Sequence, residues 1–118
     1  MPKFDVIVLG TGGVGSAALW YLAQRGSKVL GLDQFEPPHD FGSSHGQSRI
    51  IRQAYFEHPD YSPLMLESYP LWRELDELAN CHLYYEVGVL QIGPPGGEVV
   101  TGVLQSAQQY QLPIEQLS

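Results

Sequence analysis

An apolar, β-branched run near the N-terminus, Phe4 to Leu9 (FDVIVL), ends abruptly in GTGGVG, and this junction leaves few folds open to the chain. A run of that kind reads as a buried strand of a parallel sheet. The next segment, GVGSAALWYLAQRG, sets Val14, Ala17, Ala18, Tyr21 and Leu22 at helical spacing and closes on Gly26, a good helix stop. Lys28 to Asp33 (KVLGLD) then reads as a second strand. Strand, tight turn, helix and strand in this order predict a right-handed βαβ crossover, hence an α/β, Rossmann-like beginning.

The glycines Gly10, Gly12 and Gly15 fit G-x-G-x-x-G at the place where physics requires them, after a strand and opening a helix. Gly10 permits the tight turn, Gly12 lets a pyrophosphate approach the backbone, and Gly15 permits close helix packing. The helix N-terminus adds free N–H groups and the positive end of a dipole. Asp33 falls at the end of the second strand, where a carboxylate can accept hydrogen bonds from a ribose 2′-OH. The same charge repels a 2′-phosphate, so the dinucleotide expected from these residues is FAD or NAD.

Composition narrows the remaining classes. The chain has the size of one ordinary domain, and 43% hydrophobic with 16% charged residues describes a globular protein. Six Lys and Arg against thirteen Asp and Glu give a net charge of −7, so nucleic acid and anionic membrane surfaces are not expected partners. The one cysteine, Cys81, has no internal disulfide partner, and no Cys/His spacing of the zinc type occurs. No apolar run approaches the ~18 residues of a membrane span. Lys3 is followed directly by the first strand without a signal-peptide pattern, so a cytoplasmic location is expected.

Beyond the crossover, residues 34 to 48 are rich in Pro, Gly, Ser and His and read as loop. Ser62 to Ala79 reads as an amphipathic helix with Ser62 as cap, Pro63 in the first turn, and Leu64, Leu71, Trp72, Leu75 and Leu78 on one face. Pro70 removes a backbone donor there, which predicts a kink or two shorter helices near Tyr69. Leu83 to Ile92 (LYYEVGVLQI) reads as a strand, GPPGG at 93 to 97 as a turn, and Glu98 to Tyr110 as a helix with Val99, Val100, Val103, Leu104 and Ala107 in register. No internal repeat or linker is evident.

The stretch GSSHGQSRIIR, residues 42 to 52, is unusual in an acidic chain because it sets Arg49 and Arg52 close together around two isoleucines. Extended, the two arginines point to opposite faces; helical, they share one. A cleft-lining arginine needs an anion, either an internal acid, with Asp40 and Glu57 nearest in sequence, or a ligand. His45 lies in a glycine- and serine-rich loop that can bring backbone close to a cofactor. His39, His58 and His82 show no helical i, i+4 pairing with carboxylates that would suggest a metal, Cys81 reads as a small buried or half-buried residue, and Trp20, Trp72, Tyr84 and Tyr85 read as core.

Taken together, FDVIVLGTGGVG, the LDQFEPPHDFGSSHGQSRIIRQAY run, the PLMLESYPLWRELDE helix and GVLQIGP resemble the monomeric sarcosine oxidase family. N-methyltryptophan oxidases and sarcosine/pipecolate oxidases are its relatives among the FAD-dependent amine oxidoreductases. The resemblance covers nearly the whole chain. It implies FAD, with Gly10, Thr11, Gly12, Gly13, Val14 and Gly15 around the pyrophosphate, Asp33 on the adenosine ribose, Gln34 beside it, and His39 and Ser44 along the cofactor. His45 and Arg49 match the pair beside the isoalloxazine ring, where positive charge favours the reduced anionic flavin. Arg52 matches the arginine that holds the carboxylate of the amino-acid substrate.

The implied reaction is oxidation of a secondary amine, with hydride passing to the flavin, hydrolysis of the imine, and O₂ returning as H₂O₂. Two positions depart from the pattern: four residues after Gly15 the FAD motif usually has Gly or Ala, and this chain has Leu19, and Pro70 lies inside what the family keeps as a helix. Members of the family are several times longer than 118 residues. The chain is therefore expected to be the N-terminal portion, residues 1–118, of an FAD-binding domain whose substrate domain and flavin-linking cysteine lie elsewhere, and to be inactive alone. A non-catalytic nucleotide-binding module and an NAD-dependent dehydrogenase fragment are the alternatives; the PPH and GSSHG features speak against the latter.

Overall fold

A computed structural model describes residues 2–117, which fall into two compact units divided between Arg49 and Ile50. The first contains the expected crossover. Strand β1 (Val6–Leu9) pairs in parallel with β2 (Val29–Leu32), Val6 opposite Val29 and Leu9 opposite Leu32, with helix α1 (Gly13–Gln24) between them in sequence. Each strand is one or two residues shorter at its ends than its apolar run, because only the paired residues share the ladder. The stop at Gly26 operates as expected. Gly26 adopts φ +84°, its amide donates to Ala23 O, and Ser27 N donates to Leu22 O, which satisfies the last carbonyls of α1.

Close packing of α1 on the strands depends on two glycines. A Cβ on Gly15 would overlap the carbonyl oxygen of Gly10, so the helix can lie where it does only with hydrogen at that position. Opposite Leu19, β2 carries Gly31: a Cβ there would sit 2.6 Å from Leu19 Cδ1 and 2.8 Å from Thr11 Cγ2. The larger residue on the helix is thus accommodated by a missing side chain on the strand, and Leu19 does not loosen the packing.

The second unit holds α2 (Tyr61–Ala79) and α3 (Glu98–Tyr110). Its core is small and built on α3: Ala54, Ala107 and Leu112 are buried, with Val103 and Tyr110 packed around them. Gly102 lets the helix backbone meet that of Phe56, and Ser106 donates a hydrogen bond to Tyr55 O. Small residues one turn apart therefore seat α3 on the 54–56 segment.

Several expectations are corrected here. Helix α2 begins one residue before Ser62, with Asp60 at its N-cap; Ser62 is fully buried inside the first turn and is not the cap. The helix runs unbroken through Pro70, at the cost of the backbone donor that Leu66 O would have received. Leu83 to Ile92 forms no strand, since it has no ladder partner among the described residues, and Gly88 within it turns to φ +74°. Leu64, Leu71, Leu75 and Leu78 are exposed, as are Trp20, Trp72 and Tyr85, so this apolar face and these aromatics are not core within the described residues. Tyr84 is half-buried against Tyr69, ring centroids 5.6 Å apart. Cys81 is exposed, just past the left-handed turn at Asn80 that ends α2.

Candidate functional site

In the first unit the glycine loop and Asp33 meet at the carboxyl ends of the two parallel strands, the edge where open α/β sheets bind ligands. Gly10, at φ +88°, turns the chain out of β1, while its amide donates to Leu32 O at 2.7 Å. Asp33 then reaches back across the crevice. Its Oδ2 accepts from Thr11 N at 2.6 Å and from Thr11 Oγ1 at 2.8 Å, and its Oδ1 accepts from Phe35 N at 3.2 Å. His39 Nε2 lies 3.3 Å from the same oxygen. The backbone hydrogen bonds from Thr11 and Phe35 lead the causes that hold the Asp33 carboxyl well below the usual carboxylate range.

The start of α1 is open to a ligand. Gly12 is its N-cap and has no side chain to offer, so helix geometry leaves the amides of Val14 and Gly15 without an intrahelical acceptor. Nothing lies within 4 Å of a Cβ placed on Gly12 or Gly10, and Val14 is 87% exposed. The Gly13 amide points to Ser44 Oγ at 3.3 Å, which brings the 42–46 loop to the glycine turn. The sequence-predicted residues Gly10, Thr11, Gly12, Gly13, Val14, Gly15, Asp33, His39 and Ser44 therefore share one neighbourhood; Gln34 is exposed directly after Asp33.

His39, Ser44 and His45 line an open hollow together with Pro38, Asp40 and Gly46. His39 is fixed there by Phe35 and Phe41, whose rings lie 5.2 and 5.8 Å from its own. His45 Nδ1 is hydrogen-bonded to Gly42 O. Arg49 donates to Ser48 O at 2.8 Å and to Ser43 O at 3.1 Å, wrapping its guanidinium around the loop. Gly46 makes room for this, since a Cβ there would stand 2.7 Å from Arg49 Nη1. Arg49 is thus a cation held by two neutral carbonyls, with no acidic partner among the described residues.

Arg52 belongs to the second unit and has different surroundings. Its side chain is 22% exposed, its guanidinium lies 4.3 Å from the Tyr55 ring centroid and 5.3 Å from that of Phe56, and Nη2 donates to Glu57 Oε1 at 2.8 Å. Partial burial works against the charge, but the hydrogen bond and charge of Glu57 outweigh it and the Arg52 pKa is raised. Of the two anions the sequence left open, an internal acid is thus present for Arg52, and it is Glu57. Sequence reasoning missed a further residue, Gln91. Its Oε1 accepts from Arg52 Nη1 at 3.4 Å, and its Nε2 donates to Ala54 O at 3.1 Å. The signal was a single amide inside the apolar GVLQI run.

The family model for FAD dependent oxidoreductases matches residues 5–118. Monomeric sarcosine oxidase of Streptomyces avermitilis is 49% identical over 116 residues, which cover 98% of this chain and 30% of that protein. N-methyl-L-tryptophan oxidase of Yersinia pestis is 44% identical over 115 residues, again 98% of this chain, and 31% of that protein. Among solved structures, an open form of a mutant of NikD, described as an unusual amino acid oxidase essential for nikkomycin biosynthesis, superposes with a TM-score of 0.74 at 29% identity, over 96% of this chain and 29% of that one. The chain spans about 30% of the length of the curated relatives it matches.

Proposed function

The chain belongs to the FAD dependent oxidoreductase family, and on that premise we propose that it serves as the N-terminal, cofactor-holding part of an oxidase of secondary amines such as N-methyl amino acids. FAD is the cofactor of the family, and the residues present suit it. The uncapped start of α1 and the open space over Gly10 and Gly12 leave room for a pyrophosphate against the backbone. Asp33 would accept the adenosine ribose hydroxyls. Its two shorter contacts, both from Thr11, would stay, and the longer ones at Oδ1 are those a ribose hydroxyl can replace.

When bound, the flavin supplies the two-electron oxidation of the amine to an imine and passes the electrons to O₂, yielding H₂O₂. The residues of this chain bind and polarise. Gly13, Val14 and Gly15 would offer amides to phosphate oxygens, with Gln34, His39 and Ser44 along the cofactor. Arg49, which has no acidic partner among the described residues, would place positive charge near the ring with His45 beside it, favouring the reduced, anionic form. Arg52 would hold the substrate carboxylate.

The observation that carries the amine-oxidase reading is the setting of Arg52. A guanidinium lying over the Tyr55 ring and held at Nη1 and Nη2 by single contacts has a hydrogen left on each nitrogen, and a planar fork of that kind suits a carboxylate. The similarity to proteins named monomeric sarcosine oxidase and N-methyl-L-tryptophan oxidase supports the same reading. The test is peroxide release by the full-length protein with sarcosine, N-methyltryptophan and pipecolate, in the wild type and in Arg52→Lys. The expected result is oxidation of at least one of them with a raised KM in Arg52→Lys. A wild-type protein that carries flavin but oxidises none of them overturns the amine-oxidase reading, and an unchanged KM in Arg52→Lys overturns the role given to Arg52.

A further inference from the structure

Gln91 occupies an unexpected position for an amide. In the segment around it Val87, Val89, Leu90 and Ile92 are exposed, 51% to 85% of each, whereas Gln91 is half-buried. Its apolar neighbours face outward and the polar side chain faces in. The amide is committed at both ends. Oε1 accepts from Arg52 Nη1, and Nε2 donates to the carbonyl of Ala54, a residue only 5% exposed. Reversing the amide would set NH₂ against guanidinium and oxygen against carbonyl, two donor–donor and acceptor–acceptor clashes, so both partners enforce one orientation.

The arrangement differs in kind from the Glu57 contact. Glu57 neutralises Arg52 and has a side chain 43% exposed. Gln91 is uncharged and tied to the buried end of the 54–56 segment. It therefore fixes Nη1 without consuming the charge. The rings of Tyr55 and Phe56 limit the tilt of the guanidinium, and the Gln91 amide limits its rotation within that plane.

We infer that Gln91 is a positioning residue for Arg52, one that holds the guanidinium ready for a carboxylate-bearing amine and so contributes to selection of such substrates over amines without a carboxylate. The inference rests on the substrate role proposed above for Arg52. Gln91 itself touches no reacting atom. Its effect is confined to carboxylate recognition, which separates it from a residue that only supports the fold.

The experiment is steady-state kinetics of the full-length holoenzyme in Gln91→Met, with the best N-methyl amino acid and with its methyl ester, alongside Arg52→Lys. Gln91→Met removes the acceptor while keeping the shape. The KM for the amino acid is expected to rise about tenfold, the lower end of what a hydrogen bond to a charged group is worth. Its kcat should stay within about twofold, since no interaction special to the transition state is lost. The KM for the ester should not change. Equal effects on acid and ester, or none on the acid, overturn the role of Gln91. If Arg52→Lys also fails to discriminate acid from ester, the proposed substrate role of Arg52 has failed; if it does discriminate, only the Gln91 inference has. Should Gln91→Met yield no holoenzyme, Gln91→Asn, whose amide is withdrawn by one methylene, is subject to the same acid-against-ester comparison.

Discussion

Two glycines three residues apart should fail in opposite ways when given a methyl group. On Gly15 the methyl has no room, because it overlaps the carbonyl oxygen of Gly10 and lies 2.9 Å from its carbonyl carbon, and both are backbone atoms that cannot rotate away. Overpacking of this kind costs roughly 1–3 kcal/mol, and the upper half of that range applies when backbone must shift. Alanine returns about 1 kcal/mol of helix propensity. Gly15→Ala should therefore lose about 1–2 kcal/mol, or roughly 4–8 °C in Tm for a chain of this size. On Gly12 nothing lies within 4 Å and the backbone, φ −67° and ψ −167°, suits any residue. The poorer N-cap offered by alanine and the reduced entropy of the unfolded chain are each worth a few tenths to ~1 kcal/mol and oppose one another, so stability should change by less than about 0.5 kcal/mol. A methyl there nevertheless stands where a pyrophosphate would approach, and FAD affinity should fall at least about tenfold, equivalent to ~1.4 kcal/mol. Urea unfolding without cofactor, and titration of each variant by quenching of flavin fluorescence, separate the two effects. Unchanged FAD affinity in Gly12→Ala would refute the cradle, and equal stability losses in the two variants would refute the packing argument.

Other expectations follow from the same geometry. Gly31→Val should destabilise the first unit by about 2 kcal/mol or more through overpacking on Leu19 and Thr11. Leu19→Ala in that background should recover part of the loss, so that a double-mutant cycle in urea gives a coupling beyond the ~0.5 kcal/mol of independent sites; strict additivity would deny the contact. The depressed pKa of Asp33 means that the stabilisation it provides is fully present above the ordinary carboxylate pKa of about 4 and is lost only as pH falls through its own lower value. Its carboxyl carbon shift, followed by NMR, should stay flat through pH 4, and an ordinary titration there would contradict the Thr11 and Phe35 hydrogen bonds. Glu57→Gln removes the charge that raises the Arg52 pKa and should tighten binding of a carboxylate substrate, read as a lower KM in full-length protein; a higher KM would count against competition for the same guanidinium.

What was legible in the sequence is what short-range chemistry controls. The strand, glycine turn, helix, strand and acid of the first unit, and the 98–110 helix, follow from spacing that local sterics enforce. The neighbourhood of Thr11, Asp33 and Ser44 was likewise implied by the motif and the resemblance. Errors fell where a partner distant in sequence decides the outcome. Leu83 to Ile92 has strand-like composition, but a strand exists only through a ladder, and composition says nothing of its partner. Ser62 has the chemistry of an N-cap, yet the chain turned into the helix one residue earlier and buried it. Trp20, Trp72 and Tyr85 read as core because large aromatic residues usually are; within the described residues they are uncovered, as is the apolar face of α2.

Leu19 shows most directly why a motif is read through its contacts. The rule asking for Gly or Ala four residues after Gly15 is really a rule about the distance between a helix and the strand beneath it, and either side of that gap can supply the space. Here the strand supplies it, with Gly31 under Leu19. The exchange has a consequence at the cofactor edge, because the same missing side chain leaves room for Thr11 Cγ2, and rotating Thr11 to escape a clash would carry its Oγ1 away from Asp33. Packing of α1 and anchoring of the glycine loop thus rest on one hydrogen atom in β2. A substitution at Gly31 should therefore disturb FAD binding through Thr11 even where Leu19→Ala has restored stability, and a Gly31→Val/Leu19→Ala protein with both stability and FAD affinity fully recovered would show the two functions to be independent.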